Sequence, residues 1–256
     1  MNINEVKKRL NKLNSGPSSS GPSDYAQAFW KPRVDEGRST VRIVPYKFNK
    51  DYPFSELYFH FNVGKMRMLA LTNFGESDPI VEVTNELRRS SDAEMKELAK
   101  KISPRLRYFA PVIVRGEEDK GVRFWEFGKQ VYTTLLKDIE LLAEDGVTDI
   151  TDVYAGNDIS VEMNQESGKL YPTTTVRIKS KSTPLHDDSK MVEQYLEDQK
   201  ELVSIYKKYS FDEMKTVLQN HMTTLQGDTE EVAHVKKQSS SLDDSLDDLF
   251  DDDFDS

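Results

Sequence analysis

The chain has 256 residues, no cysteine and a formal net charge of −10. That length allows one large domain or two small ones, and the absent cysteines exclude a disulfide framework and any thiolate metal site. Residues 1–23 lack an apolar signal core, and no apolar run approaches the roughly 18 residues of a membrane span, so the expectation is a soluble, intracellular protein.

The charge is unevenly placed. Residues 1–129 carry 23 Lys+Arg against 17 Asp+Glu, whereas residues 130–256 carry 12 against 28. A mildly basic half followed by a strongly acidic half points to an electrostatic surface with an acidic tail.

Residues 1–14 read as a short basic amphipathic helix, with Ile3, Val6, Leu10 and Leu13 near helical spacing and Lys7, Lys8, Arg9 and Lys12 between them. SGPSSSGPS (15–23) is a flexible linker, so residues 1–23 form an interaction arm. The body, 24–226, opens on a strand around Val41–Val44 that Pro45 ends. Segments 54–63 and 65–72 are the next strands. One helix is expected over 84–102, with Leu87, Met95, Leu98 and Ile102 as its apolar positions. Segments 107–115 and 121–127 form a hairpin around Gly116–Lys120. A helix over 130–143 follows, then a hairpin of 158–163 and 170–179. Helices over 189–209 and 210–225 close the body, the second opened by the capping box Ser210-Phe-Asp-Glu213. Residues 227–256 lose periodicity, and 238–256 hold eight aspartates and no base. Such a run cannot collapse on itself, and the expectation is a disordered acidic tail. Strands on both sides of a helical insert predict a small β-barrel with decorations.

Catalysis finds no support. The four histidines, His60, His186, His221 and His234, are scattered, and no phosphate-binding or nucleophile-elbow motif occurs. Asp187 and Asp188 could hold Mg²⁺ in a nuclease, but they lie in a polar loop that reads as solvated. Nucleic-acid binding fits better. Single strands are held by basic grooves and by aromatic faces on which bases stack. RLRYF (105–109) and RFWEFGK (123–129) interleave both residue types. On strands, Arg105, Arg107 and Phe109 share one face, as do Arg123, Trp125 and Phe127. Arg42, Lys47 and Lys50 add charge near the first strand, and Lys179 and Lys181 near the last.

STVRIVPYK (39–47), RYFAPVIVRGEEDKGVRFWEFGKQVY (107–132), SFDEM (210–214) and the terminal SLDDLFDDDFDS together resemble the T4-type bacteriophage single-stranded-DNA-binding proteins. The resemblance implies a mainly β fold with α additions: an OB-fold core, a five-stranded Greek-key barrel, with a helical insert subdomain (73–102) and C-terminal helices. It implies DNA contacts at Arg42, at the aromatic pair Tyr108 and Phe109, at Trp125 in place of a stacking tyrosine, and at Lys129. Lys7, Lys8 and Arg9 stand for the family's basic self-association cluster. The tail, 227–256, would cover the DNA cleft and recruit replication and recombination proteins (polymerase, helicase loader, primase, recombination mediator) through Leu249, Phe250 and Phe254, in the cytoplasm of an infected bacterium.

The best-known relative holds zinc through three cysteines and a histidine. Here His60 stands at the histidine position without any cysteine, so no metal or other cofactor is expected. The insert would be held by packing alone, through Phe74, Ile80, Val81 and Val83. Glu126 replaces a basic residue. The function expected is cooperative, largely sequence-independent binding of single-stranded DNA. The alternative is an acidic-tailed interaction or nucleoprotein-chaperone module, which explains the tail but not the interleaved strands.

Overall fold

The computed structural model describes residues 26–165, 167–168 and 170–232, with side chains to Leu225. The arm at 1–23 and the tail residues Leu249, Phe250 and Phe254 lie outside the described residues. Eight strands make one hydrogen-bonded set: β1 (Phe29–Trp30), β2 (Arg38–Ile43), β3 (Ser55–Val63), β4 (Met66–Leu69), β5 (Arg105–Val114), β6 (Arg123–Phe127), β7 (Asn157–Asn164) and β8 (Thr173–Ser182). Their order is β1-β6-β5-β2-β7-β8, with β3 joined to β5 and β4 to β3. Five helices lying wholly within the described residues are added: α1 (Pro79–Arg88), α2 (Ala93–Ile102), α3 (Lys129–Glu144), α4 (Ser189–Glu197) and α5 (Phe211–Val232). The protein is mainly β with α additions, as the sequence predicts.

β5 is the hub. Its first half pairs with β3 from Arg105 to Phe109, its last three residues pair with β2, and β6 runs along the opposite edge from Tyr108 to Val112. A proline inside a central strand normally breaks a ladder. Pro111 is tolerated because it sits where pairing passes from β3 to β2, and its carbonyl still accepts from Val44 N–H at 2.9 Å.

Side-chain alternation on β5 separates two cores. Tyr108, Ala110, Val112 and Val114 join Trp125, Phe127, Val41, Ile43, Ile159 and Val161 beneath α3, which contributes Val131 and Leu135. Phe109 points the other way and packs with Phe29, Phe59, Phe124 and Leu202. Ile113 does the same with Val44, Leu185 and Tyr195. Each fully buried large apolar side chain contributes about 1.5–3 kcal/mol.

Three local features depart from the sequence-based expectation. The helix expected over 84–102 is two helices. Asp78 caps α1 by accepting from Ile80 and Val81 N–H, and Asp92 caps α2 by accepting from Glu94 N–H. Ser90, Ser91 and Asp92 compete with the helix for backbone hydrogen bonds and open the turn between them. The helix expected over 189–209 stops at Glu197, and Leu202–Ile205 forms a 3-10 turn whose first N–H donates to the Tyr46 hydroxyl at 2.9 Å. β1, a two-residue parallel partner of β6, carries no periodic signal of its own. The capping box at Ser210 forms: Glu213 accepts from Ser210 N–H at 2.8 Å, and Ser210 Oγ accepts from Glu213 N–H at 3.2 Å.

The insert packs around Val63, Met68, Ile80 and Ile102, and α5 supplies Met214 and Leu218 to the same cluster. Phe74 and Val83 pack at its rim; Val81 is outside it. The β3–β4 turn presses against α5: a Cβ on Gly64, whose φ is +65°, would stand 2.6 Å from Val217 Cγ1. At the insert's centre His60 and Asp78 are fully buried. Asp78 accepts from His60 Nε2 at 3.0 Å and from Leu71 N–H at 2.9 Å, besides capping α1. Burial works to raise its carboxyl, but the His60 contact and the backbone N–H groups outweigh it and hold it below the usual carboxylate value.

Arg42, expected to touch DNA, is instead an internal bolt with a side chain 0% exposed. Its guanidinium donates to Asp158 at 3.0 Å and to the Thr183 carbonyl at 2.7 Å. Arg115 reaches the same carboxylate at 2.9 Å and the Leu185 carbonyl at 2.7 Å. Burial pulls the Arg42 pKa below its usual value while Asp158 opposes the fall. One carboxylate thus ties β2, β5, β7 and the 183–185 segment.

Two outcomes are expected. Asp158→Ala strands a buried guanidinium and lowers unfolding free energy by about 3–5 kcal/mol, measured by urea titration. Asp78, with a depressed native pKa, stabilises the fold above the ordinary carboxylate range and stops doing so as pH falls through the depressed value. Asp78→Asn therefore lowers stability at neutral pH and flattens its acid dependence, read from urea midpoints across acidic pH.

Candidate nucleic-acid interface

The N-terminal half of β5, the C-terminal end of β6, the β3–β4 hairpin and the start of α3 meet at one end of the sheet. On the face bearing Phe109, Arg67 of β4 lies over three rings. Its guanidinium carbon is 4.0 Å from the Phe59 centroid, 5.2 Å from Phe61 and 5.4 Å from Tyr206. Its Nη1 donates to Glu126 at 2.8 Å. Arg107 shares Phe61, at 5.3 Å, and places Nε 3.8 Å from the other Glu126 oxygen. The Arg67 and Arg107 side chains are 25% and 33% exposed, whereas Glu126 is only 14% exposed. Arg105, half-buried, shares this face by alternation and pairs with Phe59.

The start of α3 adds to the positive field. Gly128 gives its first turn no side-chain cap, Lys129 is exposed at its first position, and Arg107 Nη1 stands close to Gly128. On the opposite face of the same strands, aromatics stack outward from the core. Tyr108 stacks on Tyr132 with centroids 4.0 Å apart and on Phe127 at 6.5 Å. The Tyr52 and Tyr132 hydroxyls are 2.5 Å apart, and Tyr132 donates onward to Glu56 at 3.2 Å, so Tyr52 is the donor to Tyr132. Burial, with Tyr52 and Glu56 beside it, pushes the Tyr132 phenol far above its usual pKa. Tyr52 and Tyr58 are exposed at 38% and 43%.

The structure redistributes the residues singled out in the sequence. Arg105, Arg107 and Lys129 gather here. Trp125, 1% exposed, does not offer a stacking face: it packs edge-to-face on Trp30 with centroids 5.8 Å apart. Tyr108 and Phe109 are core, at 7% and 0%. The cause is that β1 covers the outer edge of β6 while α3 and the 202–206 segment cover the two faces, so the strand has no wet side. Arg123 pairs with Glu117 in the preceding turn, its side chain 10% exposed. Lys47 donates to the Glu197 carboxylate at 2.9 Å and to its carbonyl at 2.8 Å, tying the 45–50 segment to α4. Lys179 and Lys181 are exposed on β8, the far edge of the sheet, with β7 and β2 between them and β5; Lys179 donates to Thr40 Oγ1 at 3.0 Å. Asp188 caps α4 by accepting from Lys190 N–H.

Sequence reasoning missed Arg67, Phe61, Tyr52, Tyr58 and Tyr132. The alternation Phe59-His60-Phe61 followed by Lys65-Met66-Arg67 carried the first two. It placed Phe61 and Arg67 on facing arms of one hairpin.

The residues around His60 do not fit a zinc ion. Both ring nitrogens face acceptors, Asp78 at 3.0 Å and the Ile102 carbonyl at 3.4 Å, and the chain has no thiolate to complete a ligand set. Among the described residues no group of three or more His, Cys, Asp or Glu side chains could hold a metal ion. No helix among them is long and apolar enough to cross a membrane.

A family model described as "gp32 DNA binding protein like" matches residues 35–225, which run from before β2 into α5 and include Arg67, Arg107 and Glu126. The chain belongs to the gp32-like DNA-binding protein family. Membership supports single-stranded DNA as the ligand and accords with an OB-type fold, here elaborated to eight strands. The family is one of DNA-binding proteins rather than of enzymes. No curated protein matches the chain.

Burial separates two kinds of residue at this end of the sheet. Trp125→Ala is expected to lower unfolding free energy by about 3–5 kcal/mol. Arg107→Ala should change it by no more than about 1 kcal/mol, since its ion pair is part-exposed. Equal losses in urea titration would contradict this division.

Proposed function

We propose that the protein coats single-stranded DNA during phage replication, recombination and repair with little sequence preference. Phosphates follow Arg67, Arg105, Arg107 and Lys129; bases lie against Phe61 on that face and, where the strand rounds the end of the sheet, against Tyr58 and Tyr52 on the other. What carries this reading is two guanidinium groups converging on one carboxylate over aromatic rings, inside the segment matched by a DNA-binding family. A sequence-tolerant site needs cations spaced for phosphates and π-faces for bases, and both are present without directional readout of base edges.

The ends of the chain complete the proposal. The arm, with Lys7, Lys8 and Arg9, docks on the neighbouring protomer and raises the local concentration of the next molecule. The aspartate-rich tail competes with DNA for the cations. Once displaced, it presents Leu249, Phe250 and Phe254 to replication partners such as a polymerase, primase, helicase loader or recombination mediator. The division into arm, body and tail at 23/24 and 226/227 belongs to this proposal.

Trp30 and Trp125 are both buried, so intrinsic tryptophan emission is a poor reporter and labelled oligo-dT anisotropy is the better one. The expected result is tighter binding to oligo-dT than to duplex. Its log–log salt slope should be about −3, from four phosphate contacts at about −0.7 each. Tyr58→Ala should weaken binding by about 1–3 kcal/mol. Deleting residues 238–256 should tighten binding at low salt and less so at high salt. Equal affinity for duplex and single strand overturns the proposal.

A further inference from the structure

Glu126 has no evident place in a basic cleft. It projects from β6 onto the cationic face and is largely buried. Its two oxygens are divided between two arginines: Oε2 accepts from Arg67 Nη1 at 2.8 Å, and Oε1 lies 3.8 Å from Arg107 Nε. The second contact is an ion pair too long for a hydrogen bond, and Arg107 Nε finds no acceptor within hydrogen-bond distance. The carboxylate therefore hydrogen-bonds one guanidinium through its Nη1 alone and only holds the other. Both guanidinium groups share the Phe61 ring, which fixes them side by side. A phosphate and a carboxylate present similar oxygens to an arginine fork.

We infer that Glu126 is an internal stand-in for a DNA phosphate: its carboxylate occupies the Arg67–Arg107 pair in the free protein, and single-stranded DNA must displace it from at least Arg107. This rests on the reading of these arginines as phosphate contacts. Glu126 thereby sets the affinity ceiling of the site. It also keeps two neighbouring cations from repelling each other when no DNA is bound. With Glu126 the cluster carries a net charge of +1; without it, +2. Glu126 competes from a fixed position on β6.

The test is Glu126→Gln, which keeps the shape and a hydrogen-bond acceptor and removes the charge. Oligo-dT binding is measured by anisotropy from low to high salt, with Glu193→Gln on α4 as a one-charge control. The expected result is a slope steeper by roughly one phosphate contact, about 0.7. Affinity then rises about fivefold at 0.1 M salt and converges on the wild type near 1 M. Glu193→Gln should give a smaller change with the slope unaltered. Adding Arg67→Gln to Glu126→Gln should return the slope to the wild-type value. Wild-type binding with unchanged or weakened affinity in folded Glu126→Gln overturns the inference, whereas absence of wild-type binding overturns the single-stranded-DNA reading itself. If Glu126→Gln does not fold, nitrogen-15 spectra of the wild-type arginine Nε groups decide. The Arg107 signal should move on saturation with oligo-dT, and a signal that stays put excludes displacement.

Discussion

A strand hydrogen-bonded along both edges and covered on both faces has no surface to give a ligand except at its ends. β5 is such a strand from Tyr108 to Val112. Its aromatic residues become core, and the cations that precede them, Arg105 and Arg107, emerge where the cover runs out. The same constraint acts on β6, whose last residues deliver Glu126 to that end of the sheet, with Lys129 at the start of α3 just after it. The candidate site is therefore set by where burial stops.

The buried polar groups show how the elements are held in this relation. Asp158 joins three strands and the 183–185 segment through Arg42 and Arg115. Asp78 does similar work in the insert, joining β3, the turn after β4 and α1. Each is a carboxylate with several donors, and each sits where a purely apolar contact would leave register undecided. In the insert this polar hub, with the apolar cluster completed by α5, holds the subdomain with no thiolate in the chain.

Much of the fold was legible in the sequence because its elements alternate cleanly: the β5–β6 hairpin, the β7–β8 hairpin, α3 and the capped start of α5 all fall within a few residues of their expected bounds. β1 was not legible, since two residues have no period, and the consequence was large. Its cover over β6 is part of what buries Trp125. The site was half legible. Arg105, Arg107 and Lys129, which the structure gathers at one end of the sheet, could be singled out because charge and aromatic residues interleave there. Arg67 and Phe61 come together only through a hairpin register, and Arg42 was misplaced because a lone arginine on a strand gives no sign of the carboxylate that awaits it 116 residues later.

Gly64 acquires a wider meaning once the site is placed. It is the point at which the β3–β4 hairpin leans on α5, with no room for even one added carbon beside Val217. Arg67 stands three residues further along the same hairpin. The hairpin behaves as a short lever whose fulcrum is this glycine contact and whose working end carries a guanidinium. The packing of α5 against this turn and the position of the hairpin that carries Arg67 are therefore not independent of each other.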